Sequence, residues 1–366
     1  MRKIQIIFIL FCLAGISLPI FLFNTKGTIS EKENRNLAQR PHILNENHLN
    51  SNYFKEFSSY FDDRFGGRQK LINLNSFLKI KLNGDIPICN DRAVQGRSGW
   101  WFYISSKDGN NLQDFYKNNL MNDNQLIDFK KKISDTVEWC KEEKIPCIFM
   151  ICPNKHSVYD EYYYFSRPEG ITRADQISKI FSELNVPFLF PRDYLISKKS
   201  EYDFPLYYET DTHWNSQGAY LAAILLKEEI KNIFPHTDFP EIQYETQIDY
   251  SMNEGDILPM LGIQEAKSTQ PALFPIGQQT SDFYTYIKNE EMQGVITKGT
   301  KEKLPRALIF RDSFFSTLEP FVSPMFSEAE YKWKQFREED KDYILEYKPD
   351  IIIFESVERY APTIVN

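Results

Sequence analysis

DNQLIDFKKKISDTVEWCKEEKIPCIFMIC, residues 123–152, changes its hydrophobic period partway along. Up to Glu143 the apolar residues Leu126, Phe129, Ile133, Val137 and Cys140 return every three or four positions, which gathers them on one stripe of a helix. From Pro146 to Cys152 the run PCIFMIC is apolar throughout. A strand without polar alternation suits a sheet covered on both faces, as in parallel α/β architectures. The same rhythm continues downstream. Helices are predicted at Thr172–Leu184 and Ser216–Ile233, and strands at Val186–Phe190, Ala307–Phe310 and Ile351–Phe354. The fold class expected is α/β, a mostly parallel sheet with helices on both faces. Trp101–Ile104 reads as a further strand, and residues 236–304 break the rhythm and read as an irregular insertion.

Toward the N-terminus the pattern is different. Arg2 and Lys3 precede the apolar run Ile4–Phe23, which is long enough to span a bilayer as one helix. No small-residue cleavage site follows it, so an uncleaved signal-anchor is expected, with a removed signal ending near residue 24 as the alternative. The positive flank orients everything after Asn24 to the extracytoplasmic side. Residues 25–40 are a polar juxtamembrane linker, and Phe54, Phe57, Tyr60, Phe61, Leu71, Leu74 and Leu78 suggest a helical lead-in over 46–82. The domain expectation is therefore an anchor at 1–24, a linker and lead-in at 25–85, and an α/β domain at 86–366.

Composition removes several functions. The formal net charge of −8 comes with lysines and arginines scattered among acids, unlike the basic stripe a nucleic-acid binder needs. The five cysteines lack metal or disulfide-framework spacing, and Cys89, Cys140, Cys147 and Cys152 read as buried free thiols, with two bridges in an oxidising compartment as the alternative. The five histidines show no paired ligand spacing, so no metal site is expected.

Reactive groups in such a sheet collect at the carboxyl ends of strands. After Ala307–Phe310 comes RDSFFS, which sets Ser313 in a strand-to-helix turn; after PCIFMIC comes PNK, with Asn154 and Lys155. TDTHWNSQGAY, residues 210–220, places Asp211 and His213 just before a helix capped by Asn215 or Ser216. A serine, a base and its carboxylate are the set that acyl transfer through serine requires. Ser313 is read as nucleophile, His213 as general base and Asp211 as its orienting carboxylate. Asn154, Lys155, Trp214 and Arg311 are read as oxyanion or substrate-binding groups. Each piece alone has a simpler reading, as a helix cap or an exposed turn.

In order along the chain, E-x-x-N-R-x-L-A-x-R-P (Glu31–Pro41), Y-F-D-D-R-F-G-G-R (Tyr60–Arg68), G-W-W-F-Y (Gly99–Tyr103), D-T-H-W with N-x-x-G-A-Y, G-D-I-L-P-M-L-G (Gly255–Gly262), R-D-S-F-F and E-S-V-E-R (Glu355–Arg359) occur. This set resembles the alginate O-acetyltransferase-like DHHW family of SGNH-hydrolase-like proteins. The resemblance implies an SGNH-like (flavodoxin-like) fold in which the Asp-x-His pair precedes the serine, the reverse of ordinary SGNH esterases. It implies an O-acetyltransferase acting on hydroxyls of a cell-envelope polysaccharide or exopolysaccharide, without a cofactor, supplied by a membrane-bound O-acyltransferase. The chain departs from the family at Thr212, where the family has a second histidine, and it carries no carbohydrate-binding module after the last strand. Two other functions are compatible with the same residues: a carbohydrate acetylesterase, and a non-catalytic glycan-binding scaffold of an export complex.

Overall fold

The computed structural model describes residues 35–45, 48–66, 89–105, 108–249, 255–261, 270–276, 279–289 and 294–366, with residues 5, 6, 8, 9, 13, 17, 23, 29, 30 and 71. Most of the Ile4–Phe23 run, with Leu74 and Leu78 of the lead-in, lies outside the described residues. Among those described, no helix is long and apolar enough to cross a membrane. The chain divides into two units, Met1–Asn90 with Leu258–Glu265, and Asp91–Ile257 with Ala266–Asn366. In the first unit the lead-in is helical over Tyr53–Arg64, and its C-terminal end is tied to the linker: Ala38 N–H donates to Asp63 Oδ2 at 2.7 Å.

The second unit carries the sheet. Its strands are β1 (Cys147–Cys152), β2 (Phe188–Leu189), β3 (Tyr284–Asn289), β4 (Gly294–Gly299), β5 (Arg306–Phe310), β6 (Glu328–Lys332) and β7 (Ile351–Val357), in the order β3-β4-β6-β5-β7-β1-β2. From β6 to β2 every pairing is parallel, while β3 and β4 add an antiparallel hairpin at the β6 edge. Along β1 the side chains alternate between two cores. Ile148, Met150 and Cys152 face one, and Cys147, Phe149 and Ile151 the other. Strand β7 divides the same way, Ile351 and Ile353 against Ile352 and Phe354. Each such side chain contributes about 1.5–3 kcal/mol by leaving water, which is why the run has no room for a polar face.

Helices α1 (Asp123–Glu142) and α2 (Arg173–Leu184) close the Phe149 face, with Phe129, Ile133, Val137, Ile177 and Phe181. Both begin at a capping box, Asn122 with Gln125 and Thr172 with Asp175. Helices α3 (Ser216–Ile233) and α4 (Phe315–Val322) close the other face with Leu221, Leu226, Leu318 and Phe321.

Three expectations change. Residues 236–304 are not wholly irregular: Tyr244–Asp249 pairs with Gln270–Pro275, and β3 and β4 extend the main sheet. Trp101–Tyr103 is a strand, but it pairs with Ala93–Gln95 in a separate two-stranded sheet. Strand β6 (EAEYK) was unexpected because charge at alternate positions reads as solvent-facing; in the fold Glu330 and Lys332 are buried and paired at 3.1 Å. Of the cysteines outside the Ile4–Phe23 run, all four are free; Cys140, Cys147 and Cys152 are buried and Cys89 is exposed.

Candidate active site

Strands β1, β7 and β5 are neighbours, so the residues that leave their carboxyl ends meet above one stretch of the sheet. The turn after β5 is braced by Asp312. Its Oδ1 accepts the Phe314 N–H at 2.9 Å, its Oδ2 accepts the Val357 N–H at 2.7 Å, and its own N–H donates to Glu355 Oε2 at 2.9 Å. The carboxyl of Glu355 is buried, and burial together with the nearby Asp312 charge holds it well above the usual carboxylate range. This bracing fixes Ser313 at the head of α4, half-buried and open to solvent.

The loop that faces Ser313 is made by an isolated antiparallel bridge between Tyr207 and Trp214. Its interior is filled by Lys155. The buried ammonium donates to the carbonyls of Tyr208, Glu209 and Asp211 at 3.0, 3.0 and 2.7 Å and lies over the Trp100 and Phe102 rings. At the loop's end Asn215 caps α3 by accepting the Gly218 N–H at 3.0 Å. The helix-cap reading of the stretch is thus right for Asn215, and Asp211 and His213 are left for another task.

His213 Nε2 stands 2.7 Å from Ser313 Oγ, and His213 Nδ1 stands 2.6 Å from Asp211 Oδ1, which also accepts the His213 N–H at 2.9 Å. With Nδ1 donating to the carboxylate, Nε2 is left as an acceptor for the serine proton. Burial lowers the imidazole pKa, but the hydrogen bond to Asp211 and the charges of Asp211 and Asp256 outweigh it, so the net direction is up. For Asp211 burial raises the pKa, and the bond to His213 with its charge brings it below the ordinary value. The side chains of His213 and Asp211 keep 23% and 20% of their surface exposed, so a small substrate can reach the pair.

The other residues singled out in the sequence divide. Asn154 sits above β1 with its N–H on Glu358 Oε2 (2.8 Å) and its Oδ1 accepting from Arg359 Nη1 (3.3 Å); its buried Nδ2 has no hydrogen-bond partner. Lys155, Trp214 and Arg311 are occupied elsewhere. The Lys155 N–H groups are spent on carbonyls, the fully buried Trp214 indole donates to Phe314 O at 3.1 Å, and Arg311 points to Ser316 Oγ (2.8 Å) beneath the Trp333 ring. Lys155 and Trp214 thereby shape the loop, and Arg311 braces the serine turn.

Two residues with no role assigned from sequence stand close by. Asp256 touches the Asp211 carboxylate and the backbone and side chain of Thr212, and Arg359 lies over Phe314 and pulls the His213 pKa down by its charge. Their only sequence signal was membership of the stretches Gly255–Gly262 and Glu355–Arg359. Asp211, His213 and Asp256 bring ligating atoms within 4.8 Å of one another, a spacing that could suggest an ion. Ligands on a tetrahedral ion at zinc–nitrogen distances stand more than about 3 Å apart. The 2.6 Å between Nδ1 and Asp211 is a hydrogen bond instead.

An open α/β sheet with this row of side chains on its carboxyl edge is the architecture of SGNH-hydrolase-like domains. The chain belongs to the family described as the SGNH hydrolase-like domain of the acetyltransferase AlgX, whose model matches residues 93–298. The matched span holds Asp211, His213 and Asp256 and ends before Ser313. Among solved structures, Bacillus cereus PatB1 with a sulfonyl adduct is similar at 13% identity, over 75% of this chain and 96% of that one, with a TM-score of 0.52. The O-acetyltransferase domain of Pseudomonas putida AlgJ is similar at 16% identity, over 76% and 93%, with a TM-score of 0.48. A DHHW family protein from Eubacterium siraeum is similar at 18% identity, over 75% and 93%, also at 0.48. The likeness to PatB1 at this identity is one of fold. No curated protein matches the chain.

Proposed function

We propose that this protein is an O-acetyltransferase that carries acetyl groups on Ser313 and delivers them to hydroxyls of a polysaccharide. The observation that carries the reading is the unbroken row Asp211–His213–Ser313, with 2.6 and 2.7 Å contacts at a solvent-accessible serine. In the first half-reaction Ser313 Oγ attacks the acyl carbonyl and its proton passes to His213 Nε2. Asp211 holds the imidazole in the tautomer that can accept it. The negative oxygen of the tetrahedral intermediate is met by the Ser313 N–H and by the unpartnered Asn154 Nδ2. The departing group takes the proton from His213, leaving acetyl-Ser313. In the second half-reaction His213 takes the proton of a sugar hydroxyl as that oxygen attacks the ester, and Ser313 Oγ regains a proton from His213.

The name of the AlgX family, an acetyltransferase domain, supports acetyl transfer as the chemistry; the polysaccharide acceptor is what the motif resemblance implies. The cellular setting proposed is extracytoplasmic, on a single N-terminal anchor formed by Ile4–Phe23, with a multispanning membrane O-acyltransferase as the source of acetyl groups. The Arg2–Lys3 flank and the length of that run support it.

Incubation with p-nitrophenyl acetate tests the first step. An acetyl-sized mass increase is expected on the Ser313 peptide and not in Ser313→Ala. Addition of an acceptor oligosaccharide should discharge it faster than water does, because a bound sugar presents its hydroxyl locally. Free acetate without acetylated sugar, across a panel of acceptors, makes the protein an esterase. A folded protein that never labels at Ser313 is a scaffold.

A further inference from the structure

Thr212 and Asp256 lie outside the row of three, yet both touch it. Thr212 occupies the position where the resembling family carries histidine, and its side chain is turned to Asp256. The Asp256 carboxylate accepts the Thr212 N–H at Oδ1 (2.7 Å) and the Thr212 hydroxyl at Oδ2 (2.6 Å). The same hydroxyl oxygen is 3.2 Å from His213 Nδ1, and Asp256 Oδ2 is 3.9 Å from it. From its backbone Asp256 reaches the other partner: its N–H donates at 3.0 Å to Asp211 Oδ2, the oxygen that His213 does not use.

How Asp256 comes so near is decided by its neighbours. Ile257 N–H donates to Thr210 O at 3.2 Å. Gly255 has φ +52°, and a Cβ there would meet Thr210 O at 2.4 Å, so only glycine lets this segment lie flush on the 210–213 loop. The segment is built to bring one amide and one carboxylate to the Asp211–His213 pair.

We propose that Asp256 is a positioning residue for this pair: with Thr212 it fixes the Asp211 carboxylate and places a second negative charge on the Nδ1 edge of His213. The proposal rests on the reading of Ser313, His213 and Asp211 as the acyl-transfer groups. A carboxylate held only by the imidazole could rotate and break the Nδ1 contact, whereas one pinned at its second oxygen cannot do so without losing the Asp256 amide. The charged groups facing His213 are Asp211 and Asp256, which favour the imidazolium, and Arg359, which opposes it; Lys155 faces the two carboxylates from below the loop. A group that stabilises the imidazolium next to the developing charge lowers the barrier for proton transfer from serine.

The test uses the full chain and p-nitrophenyl acetate, reading kcat, KM and the pH profile of Ser313 acetylation. Asp256→Asn keeps the backbone amide and removes the charge. It should lower kcat about tenfold at unchanged KM, and move the acidic limb of the profile to lower pH by about one unit, because the imidazolium loses a nearby anion. Thr212→Val should lower kcat in the same direction and Thr212→Ser should restore it. Gly255→Ala, which leaves every side chain of the row in place, should reproduce the loss of rate. If Asp256→Asn misfolds by circular dichroism, the Thr212 pair carries the rate readout, with rescue by Thr212→Ser deciding the outcome and no movement of the limb expected. A rate within about twofold of the parent at an unmoved limb, with Ser313→Ala inactive, overturns the positioning role and leaves the acyl-transfer reading standing. So does a lost rate in Asp256→Asn with no movement of the limb, which a purely structural contact would give. Loss of activity on chelation places an ion among the three groups and overturns it as well. Full activity in Ser313→Ala overturns the acyl-transfer reading, and this proposal with it.

Discussion

Lys155→Met is the substitution that most directly measures how the loop carrying Asp211 and His213 is held. Methionine matches the length of the lysine stem, but it removes the ammonium that lies over the Trp100 and Phe102 rings and leaves the carbonyls of Tyr208, Glu209 and Asp211 without their donor. Three hydrogen bonds from a charged donor, at about 1.5–3 kcal/mol each, would sum to roughly 4–9 kcal/mol. Against this, the variant no longer buries an ammonium, whose desolvation costs several kcal/mol. The net destabilisation expected is about 2–4 kcal/mol. Urea unfolding followed by tryptophan fluorescence should show it as a lower midpoint at unchanged slope. Ser313 acetylation should fall about a hundredfold, as expected for a displacement of Asp211 on the order of 1 Å. The pH dependence has a definite sign. Burial pushes the Lys155 pKa down to about 7, while in the unfolded chain it titrates near its ordinary value. Between those two values the unfolded chain binds a proton that the folded chain does not, so stability rises with pH across the window. Methionine removes that contribution, and the advantage of the parent over the variant should grow from pH 7 upward. A variant within about 0.5 kcal/mol of the parent, fully active and with a pH-independent difference, would refute the assignment of Lys155 to the loop.

Three further outcomes follow from the same geometry. His213 must be neutral to accept the serine proton, so Ser313 acetylation should rise with pH through a midpoint above the ordinary histidine value; Arg359→Met should move that midpoint higher, since Arg359 opposes the imidazolium. Arg173→Met leaves Asp114 buried without its cation, and unfolding should show a loss of about 3 kcal/mol. Asp114 is already raised to about 7 by burial; without Arg173 it stays protonated further up the scale, and the loss deepens as pH rises because the unfolded chain gives up that proton earlier. Trp214→Phe loses one indole hydrogen bond and leaves a cavity at a fully buried position, costing about 2–3 kcal/mol with KM unchanged; a large rise in KM would return Trp214 to the substrate.

The sequence by itself determined the layering. The shift from a helical stripe to the unbroken run PCIFMIC can be satisfied only by a strand with two covered faces, and the structure divides that run between two cores residue by residue. It also singled out the three residues that the structure brings into one row, Ser313 in the turn after β5 and Asp211 with His213 just before α3. What it could not decide was anything set by pairing across the sheet or by a buried charge. Strand β6 hides Glu330 and Lys332 against each other, and β3 with β4 joins the sheet edge only because β6 is there to receive them. The same limit applies to Lys155, Trp214 and Arg311. A polar or aromatic residue beside a strand end looks the same in sequence whether it faces substrate or the chain's own carbonyls. Which of the two it meets depends on the fold of the 207–214 loop and the 255–257 segment around it. Asp256 shows the reverse: 45 residues separate it from Asp211, and only the close approach at Gly255 turns an ordinary carboxylate into a neighbour of His213.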